Sequence, residues 1–281
     1  MPDFVLTPEQ IADFVQAALL EDVGPGDRTC DAVIASDATL TADLTAREDC
    51  VVCGIPLAEG FFVHLDEDAR FDAKMSDGDT AKKGAVIATV SGKAAALLTA
   101  ERSALNTLQL LSGIATNAKA YKQAMGDAKA KLLDTRKTIP GYRALTKYAT
   151  SCGGATNHRM GLYDAVMIKD NHIAVAGSVA AAIQAAKAAG ERDIQVECDT
   201  LDQAAVAVEE GATSLLLDNM DADRLSQAVA LYGGTVSLEA SGGITLDTIG
   251  EIAASGVDYV SVGGALTLSA RAIDIGMDYS F

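Results

Sequence analysis

The chain has 281 residues, 49% of them hydrophobic, and a formal net charge of −17. That length can bury a large core, and so acidic a balance excludes nucleic acid and anionic membrane surfaces as partners, since both require a basic footprint. With neither a basic-then-apolar leader nor an apolar run of about 18 residues, the sequence predicts a cytoplasmic protein without a membrane span.

In chain order, the first predicted element is a helix over residues 7–20, with Thr7 as N-cap and Pro8 in the first turn. Gly24-Pro25-Gly26 marks a turn. Residues 39–91 alternate like short strands punctuated by Asp77-Gly78-Asp79 and Lys83-Gly84, and a helix over 94–112 closes the segment. Residues 1–113 therefore read as an α+β domain.

From residue 114 onward the pattern becomes βα units, an apolar run followed by a turn and an alanine-rich helix. Strands are predicted at 131–133, 165–168, 194–196, 214–217, 236–238 and 259–262. Helices are predicted at about 178–190, 200–210, 221–231 and 246–255, several closed by a glycine such as Gly190, Gly211 or Gly256. Each strand ends on polar or glycine residues, as in an α/β barrel, whose strand ends converge on one face and carry the active site. An open doubly wound sheet is the alternative. The barrel is assigned to 114–281, with the extreme C-terminus expected to pack back on the first domain.

Five cysteines, an odd count, predict reduced thiols. Cys50 and Cys53 form a C-x-x-C, but Val51-Val52 between them reads as strand and no second pair stands at zinc-ligand spacing, so no metal is assigned to them.

Charge is distributed unevenly. Between residues 136 and 169 stand Arg136, Lys137, Arg143, Lys147, Arg159 and Lys169 against the single acid Asp164, a local charge of +5. A basic island in an acidic protein suits a small, highly anionic ligand, with arginine matching planar carboxylates and lysine matching phosphate; a basic surface face is the plainer alternative. Glu197 and Asp218 end neighbouring strands, where they could hold a Mg²⁺ ion or ribose hydroxyls, or, for Asp218, cap the next helix. Ser241-Gly242-Gly243 and Gly263-Gly264 follow the last two strands, a placement suited to phosphate. Lys169 at a strand end also admits a Schiff-base role, which its neighbour Asp170 disfavours.

Several motifs resemble the quinolinate phosphoribosyltransferase family. They are Asp134-Thr-Arg-Lys-Thr-Ile-Pro-Gly141, Cys152-Gly-Gly-Ala-Thr-Asn-His-Arg-Met-Gly-Leu-Tyr-Asp164, Ile168-Lys-Asp-Asn-His172, Leu217-Asp-Asn219 and Ser241-Gly-Gly-Ile244, with Glu101-Arg-Ser-Ala-Leu-Asn106 and Ser112-Gly-Ile-Ala-Thr116 in the first half. The resemblance implies an N-terminal sandwich-like domain followed by an incomplete, seven-stranded α/β barrel, working as a homodimer with shared active sites. It implies transfer of phosphoribosyl from phosphoribosyl pyrophosphate to quinolinate with decarboxylation, in NAD biosynthesis. Arg136, His158, Arg159 and Lys169, with Arg102 from the partner subunit, would bind quinolinate. Lys137, Lys169, Glu197 and Asp218 would be catalytic, Glu197 and Asp218 holding Mg²⁺, and Ser241, Gly242, Gly243, Gly263 and Gly264 would bind phosphate. A non-catalytic, transporter-associated relative binding another anion is the alternative, although every mapped cation is present. Gly263-Gly264 holds one glycine more than the family pattern, Leu268 stands where a histidine is common, and Cys198 has no functional account.

Overall fold

The computed structural model describes residues 5–279. Thr7 caps α1 (Pro8–Asp22) through a capping box with Gln10, which satisfies two otherwise orphaned backbone donors. Then follow α2 (Arg28–Val33), β1 (Thr39–Ala46), β2 (Cys50–Val51), α3 (Ile55–Leu65), β3 (Arg70–Ala73), β4 (Thr80–Ala81), β5 (Val86–Lys93) and α4 (Ala94–Ala124). The second half runs β6 (Lys131–Leu133), α5 (Arg143–Cys152), β7 (Val166–Ile168), α6 (Asp170–Ala176), α7 (Val179–Ala188), β8 (Ile194–Cys198), α8 (Leu201–Glu209) and β9 (Ser214–Asp218). It closes with α9 (Ala222–Tyr232), β10 (Ser237–Ser241), α10 (Ile249–Ala254), β11 (Tyr259–Ser261), α11 (Gly264–Thr267) and β12 (Ile275–Tyr279). Among the described residues no helix is long and apolar enough to cross a membrane.

Two compact units share these elements. One comprises the described residues up to Lys119, Ala144–Gly154 and the described residues from Ala270 on; the other comprises Ala120–Arg143 and Ala155–Ser269. In the first, an antiparallel sheet has the order β12-β1-β5-β3, and β2 pairs with β4 apart from it. Its core joins Leu44 and Ile87 of the sheet to Phe61 and Phe62 of α3 and to Leu97 and Leu108 of α4, all fully buried. Each such side chain contributes roughly 1.5–3 kcal/mol by leaving water.

Three local differences from the sequence expectation have physical reasons. Helix α3 lies inside a stretch that reads as strands, because Leu57, Ala58, Phe61 and Phe62 recur at helical spacing and bury one face. Helix α4 runs 31 residues, well past 112. The glycine that resembles a stop, Gly113, serves close packing instead, since a Cβ there would lie 2.0 Å from the Arg271 carbonyl oxygen. Helix α5, not expected at all, takes up Arg143 and Lys147 from the middle of the basic island.

The second unit holds a six-stranded parallel sheet of order β6-β11-β10-β9-β8-β7. From β7 to β11 each strand neighbours the next in sequence, and β6 joins beyond β11. With right-handed crossovers, a progression in one direction places α7 to α10 on one face. Ile194, Val196, Leu215, Leu217, Leu238 and Val260 are buried among the sheet's apolar residues. The opposite face carries the intervening residues, by the period-2 alternation of strands.

Candidate active site

That alternation builds a ring. In and just past successive strand ends, residues of one face line a cavity of about 590 Å³: Met167 of β7 and Lys169 just after it, Glu197 of β8, Leu216 and Asp218 of β9, Glu239 and Ser241 of β10, Ser261 of β11 and Gly263 just after it. Thr135, Arg136 and Lys137 after β6 complete the wall with His158 and Arg159, and the glycine loops add Gly242, Gly243, Ile244, Thr245, Gly264 and Ala265. All lining residues belong to the second unit.

The structure therefore brings together Arg136, Lys137, His158, Arg159, Lys169, Glu197, Asp218, Ser241, Gly242, Gly243, Gly263 and Gly264. Arg102 is not among them; it is exposed on α4 in the first unit. The basic island divides. Lys147 is fully buried in α5, and Arg143 braces the loops, donating to the Met160 carbonyl at 3.0 Å and to Thr138 Oγ1 at 3.2 Å.

The cations are held without being neutralised as a group. Arg159 donates to the Ala165 carbonyl at 2.9 Å, and its partial burial together with the neighbouring Arg136 guanidinium lowers its pKa from the usual arginine value. Two like charges crowded this way favour an anionic occupant. Lys169 Nζ is ion-paired with Glu197 Oε2, which is the opposite of the apolar or cationic surroundings a Schiff-base lysine requires.

The acids sort by environment. Burial first, then the Glu197 and Asp199 carboxylates, push the Asp218 carboxyl above the usual range against the opposing pull of Lys169 and Lys137. Asp218 does not cap the following helix; Asp221 does, accepting from Arg224 N at 2.9 Å. Glu239 is 2% exposed. Its Oε2 accepts from Gln195 Nε2 at 2.7 Å and faces His158 Nε2 at 3.2 Å. Burial pushes its carboxyl up, but hydrogen bonds from His158, Ser261 and Gln195 together outweigh it and hold the carboxyl below the usual range. Glu239 Oε1 and Ser261 Oγ are buried in this wall, and apart from their contact with each other they find no hydrogen-bond partner among the described residues.

Two glycines are required by close approach. A Cβ on Gly242, at φ +91°, would lie 2.3 Å from Asn219 Oδ1, and one on Gly263 would lie 2.8 Å from Lys137 Cδ. Lys137 is further anchored where Thr267 Oγ1 donates to its carbonyl at 2.5 Å. The backbone before the cations is pinned by Asp134, fully buried, which accepts from Asn157 Nδ2 at 2.6 Å and from His158 N at 2.8 Å.

Sequence reasoning assigned no role to Glu239 or Ser261. The signal was available: each lies two residues before a chosen strand-end residue, Ser241 or Gly263, and so on the same face. Cys198 points away from the ring into the core, and burial raises its thiol pKa to about 12. In the first unit, Cys53 and Cys152 lie with Asp77, their ligand atoms all within 4.8 Å of one another. Asp77 already accepts from Gly54 N and Ile55 N at 3.0 Å and from Tyr148 OH at 2.5 Å, which leaves the carboxylate engaged in packing the start of α3. Cys50 is not part of this group.

A parallel α/β sheet with cations, paired acids and glycine loops meeting at its strand ends defines a class of enzymes that handle polyanionic small molecules. Residues 114–278 match the family model for the quinolinate phosphoribosyl transferase C-terminal domain, and 27–112 match that for its N-terminal domain. The chain belongs to this family. It is 41% identical over 271 residues to a probable nicotinate-nucleotide pyrophosphorylase [carboxylating] of Bacillus subtilis, covering 96% of this chain and 93% of that protein. It is also 41% identical to quinolinate phosphoribosyltransferase [decarboxylating] 1b of Nicotiana tabacum, over 94% of this chain and 80% of that one. The solved structure of the nicotinate-nucleotide pyrophosphorylase from Francisella tularensis superposes with a TM-score of 0.92 at 39% identity, covering 98% of each chain.

Proposed function

We propose that this protein acts in the cytoplasm, transferring the phosphoribosyl group of phosphoribosyl pyrophosphate to quinolinate with loss of CO₂. The products are nicotinate mononucleotide and pyrophosphate. The observation that carries this reading is one cavity that gathers the neighbouring Arg136 and Arg159 with Glu197, Asp218 and the Gly242 and Gly263 loops. Relatives support it, among them the Bacillus protein named a probable nicotinate-nucleotide pyrophosphorylase [carboxylating] and the Nicotiana tabacum protein named a quinolinate phosphoribosyltransferase [decarboxylating].

Arg136, Arg159 and Lys169 hold the dicarboxylate and aim its ring nitrogen at C1 of the ribose. Lys137 stabilises the departing pyrophosphate, and Ser241 with the backbone N–H groups of the glycine loops takes the 5′-phosphate. As the C1–O bond breaks, the nitrogen forms the new bond to C1. The quaternised ring then stabilises the electron pair that remains at C2 when CO₂ leaves, and a proton taken up there completes the product.

Glu197 and Asp218 would hold Mg²⁺. They fit that role because Asp218 is repelled by neighbouring carboxylates beyond what Lys169 and Lys137 offset. When bound, the ion supplies charge neutralisation for pyrophosphate oxygens.

The sheet is read as the greater part of a seven-stranded barrel. Thr156 stands for the seventh strand, its N donating to the Leu132 carbonyl at 2.8 Å and its carbonyl accepting from Asp134 N at 3.2 Å, on the edge of β6 away from β11. Arg102 is assigned to the site of the partner in a homodimer. Mixing inactive Arg102→Ala and Lys169→Ala dimers should restore about a quarter of the sites by reassortment in a two-fold dimer; exchanged dimers with no gain would place Arg102 in its own subunit's site. The function is tested by release of labelled CO₂ from carboxyl-labelled quinolinate, expected only with phosphoribosyl pyrophosphate and Mg²⁺ present. No release under those conditions would overturn it.

A further inference from the structure

We propose that Glu239 is a positioning residue that holds His158 as a neutral imidazole with its proton on Nε2, so that the ring meets the ligand uncharged and fixed in orientation. The geometry of both ring nitrogens carries this. His158 Nδ1 accepts the backbone N–H of Arg159 at 2.7 Å, and a nitrogen that accepts cannot also bear a proton. The single proton of the neutral ring is then on Nε2, which donates to Glu239 Oε2 at 3.2 Å. An imidazolium would set its Nδ1–H against the Arg159 N–H.

Three further groups fix the arrangement. Gln195 Nε2 donates to the same Glu239 oxygen at 2.7 Å, which holds the carboxylate in place from β8. Asp134 accepts from His158 N at 2.8 Å and fixes the backbone from the end of β6. Arg136 and Arg159 share the cavity wall with the ring. The charge that receives an anion is thereby left to the arginines, while the Glu239–His158 contact fixes the segment from which Arg159 projects. A buried carboxylate that orients a histidine through its ring N–H is a recurring device for selecting a tautomer.

The ligand named here rests on the proposed function; the tautomer does not. The chain has three histidines, so protein labelled with ¹⁵N at histidine gives three ring spin systems, and His158→Asn identifies the one that matters. At neutral pH the free wild-type protein is expected to show His158 protonated at Nε2 and bare at Nδ1. In Glu239→Gln that single tautomer is expected to be lost. KM for quinolinate should rise about tenfold or more, while the dissociation constant for phosphoribosyl pyrophosphate stays within about twofold. An imidazolium or an Nδ1–H tautomer in the wild type would overturn the proposal, and this readout needs no folded Glu239 variant. So would a Glu239→Gln protein with unchanged tautomer and KM. A wild type with the expected tautomer but no CO₂ release would remove the quinolinate reading and leave the role of Glu239 standing.

Discussion

Two carboxylates, Asp77 in the first unit and Glu239 in the second, are both taken largely out of water, yet their pKa values shift in opposite directions. Asp77 is surrounded by neutral donors, two backbone N–H groups and the Tyr148 hydroxyl; burial wins and its carboxyl is raised from the usual 3.8. Glu239 faces His158 and a cavity rimmed by cations, and its carboxyl falls below the usual 4.5. Asp77 has both oxygens engaged by backbone N–H groups and the Tyr148 hydroxyl, whereas in Glu239 it is Oε2 that takes both the Gln195 donor and the His158 ring. A carboxylate absorbed into packing is thus distinguished from one kept ready for function by what stands opposite it, since burial acts alike on both.

The largest effect is expected on the cavity side. Arg159→Ala should lower kcat/KM for quinolinate by the equivalent of about 2–5 kcal/mol, because a substrate carboxylate is left unpaired, while binding of phosphoribosyl pyrophosphate is retained. Equal loss for both substrates in a binding titration would break the division of the cavity. Asp77→Ala should instead cost about 2–4 kcal/mol in urea unfolding, with near-normal turnover per folded molecule, because Gly54 N, Ile55 N and Tyr148 OH lose their acceptor. Activity lost in proportion beyond stability would give Asp77 a share in the chemistry. Asp218→Ala should reduce turnover about tenfold to a hundredfold and leave quinolinate binding to the free enzyme intact. Since Asp221 caps α9, near-normal turnover would leave Asp218 without a role.

The pH dependence of stability sharpens the same contrast. Asp77 binds its proton more readily folded than unfolded, so its contribution is largest at low pH and is lost as pH climbs from 3.8 through the raised folded value. Glu239 has the opposite sign: its contribution is present above 4.5 and lost as pH falls through the depressed folded value. Unfolding curves of Asp77→Asn and Glu239→Gln, measured against wild type from acid to neutral pH, should deviate with opposite slopes. The smallest effect is Thr7→Ala, expected to remove about 0.5–1 kcal/mol through the lost cap of α1, with no change in kinetics.

The sequence by itself determined the elements whose signals are local. The Thr7-Pro8 start of α1 and the six apolar runs that became β6 to β11 were legible because capping chemistry and short buried strands are written in adjacent residues. Several site cations and acids were legible because they stand at or just past a strand end, Arg136 and Lys137 after β6, Lys169 after β7, Glu197 and Asp218 in the last residues of β8 and β9, where a charged side chain has no helix face to join. Only the tertiary structure decided what depends on residues far apart. Gly113 stands inside a helix where the Arg271 backbone passes too close for any Cβ, and the C-terminal segment, expected to pack back on the first domain, does so as β12 paired with β1. Lys147 is buried, Lys169 is paired with Glu197, and Gln195, Glu239 and His158 form one network across β8, β10 and the segment after α5. Partners of this kind are chosen by the parallel register of the strands, which fixes which i and i+2 positions share a face and which of them meet.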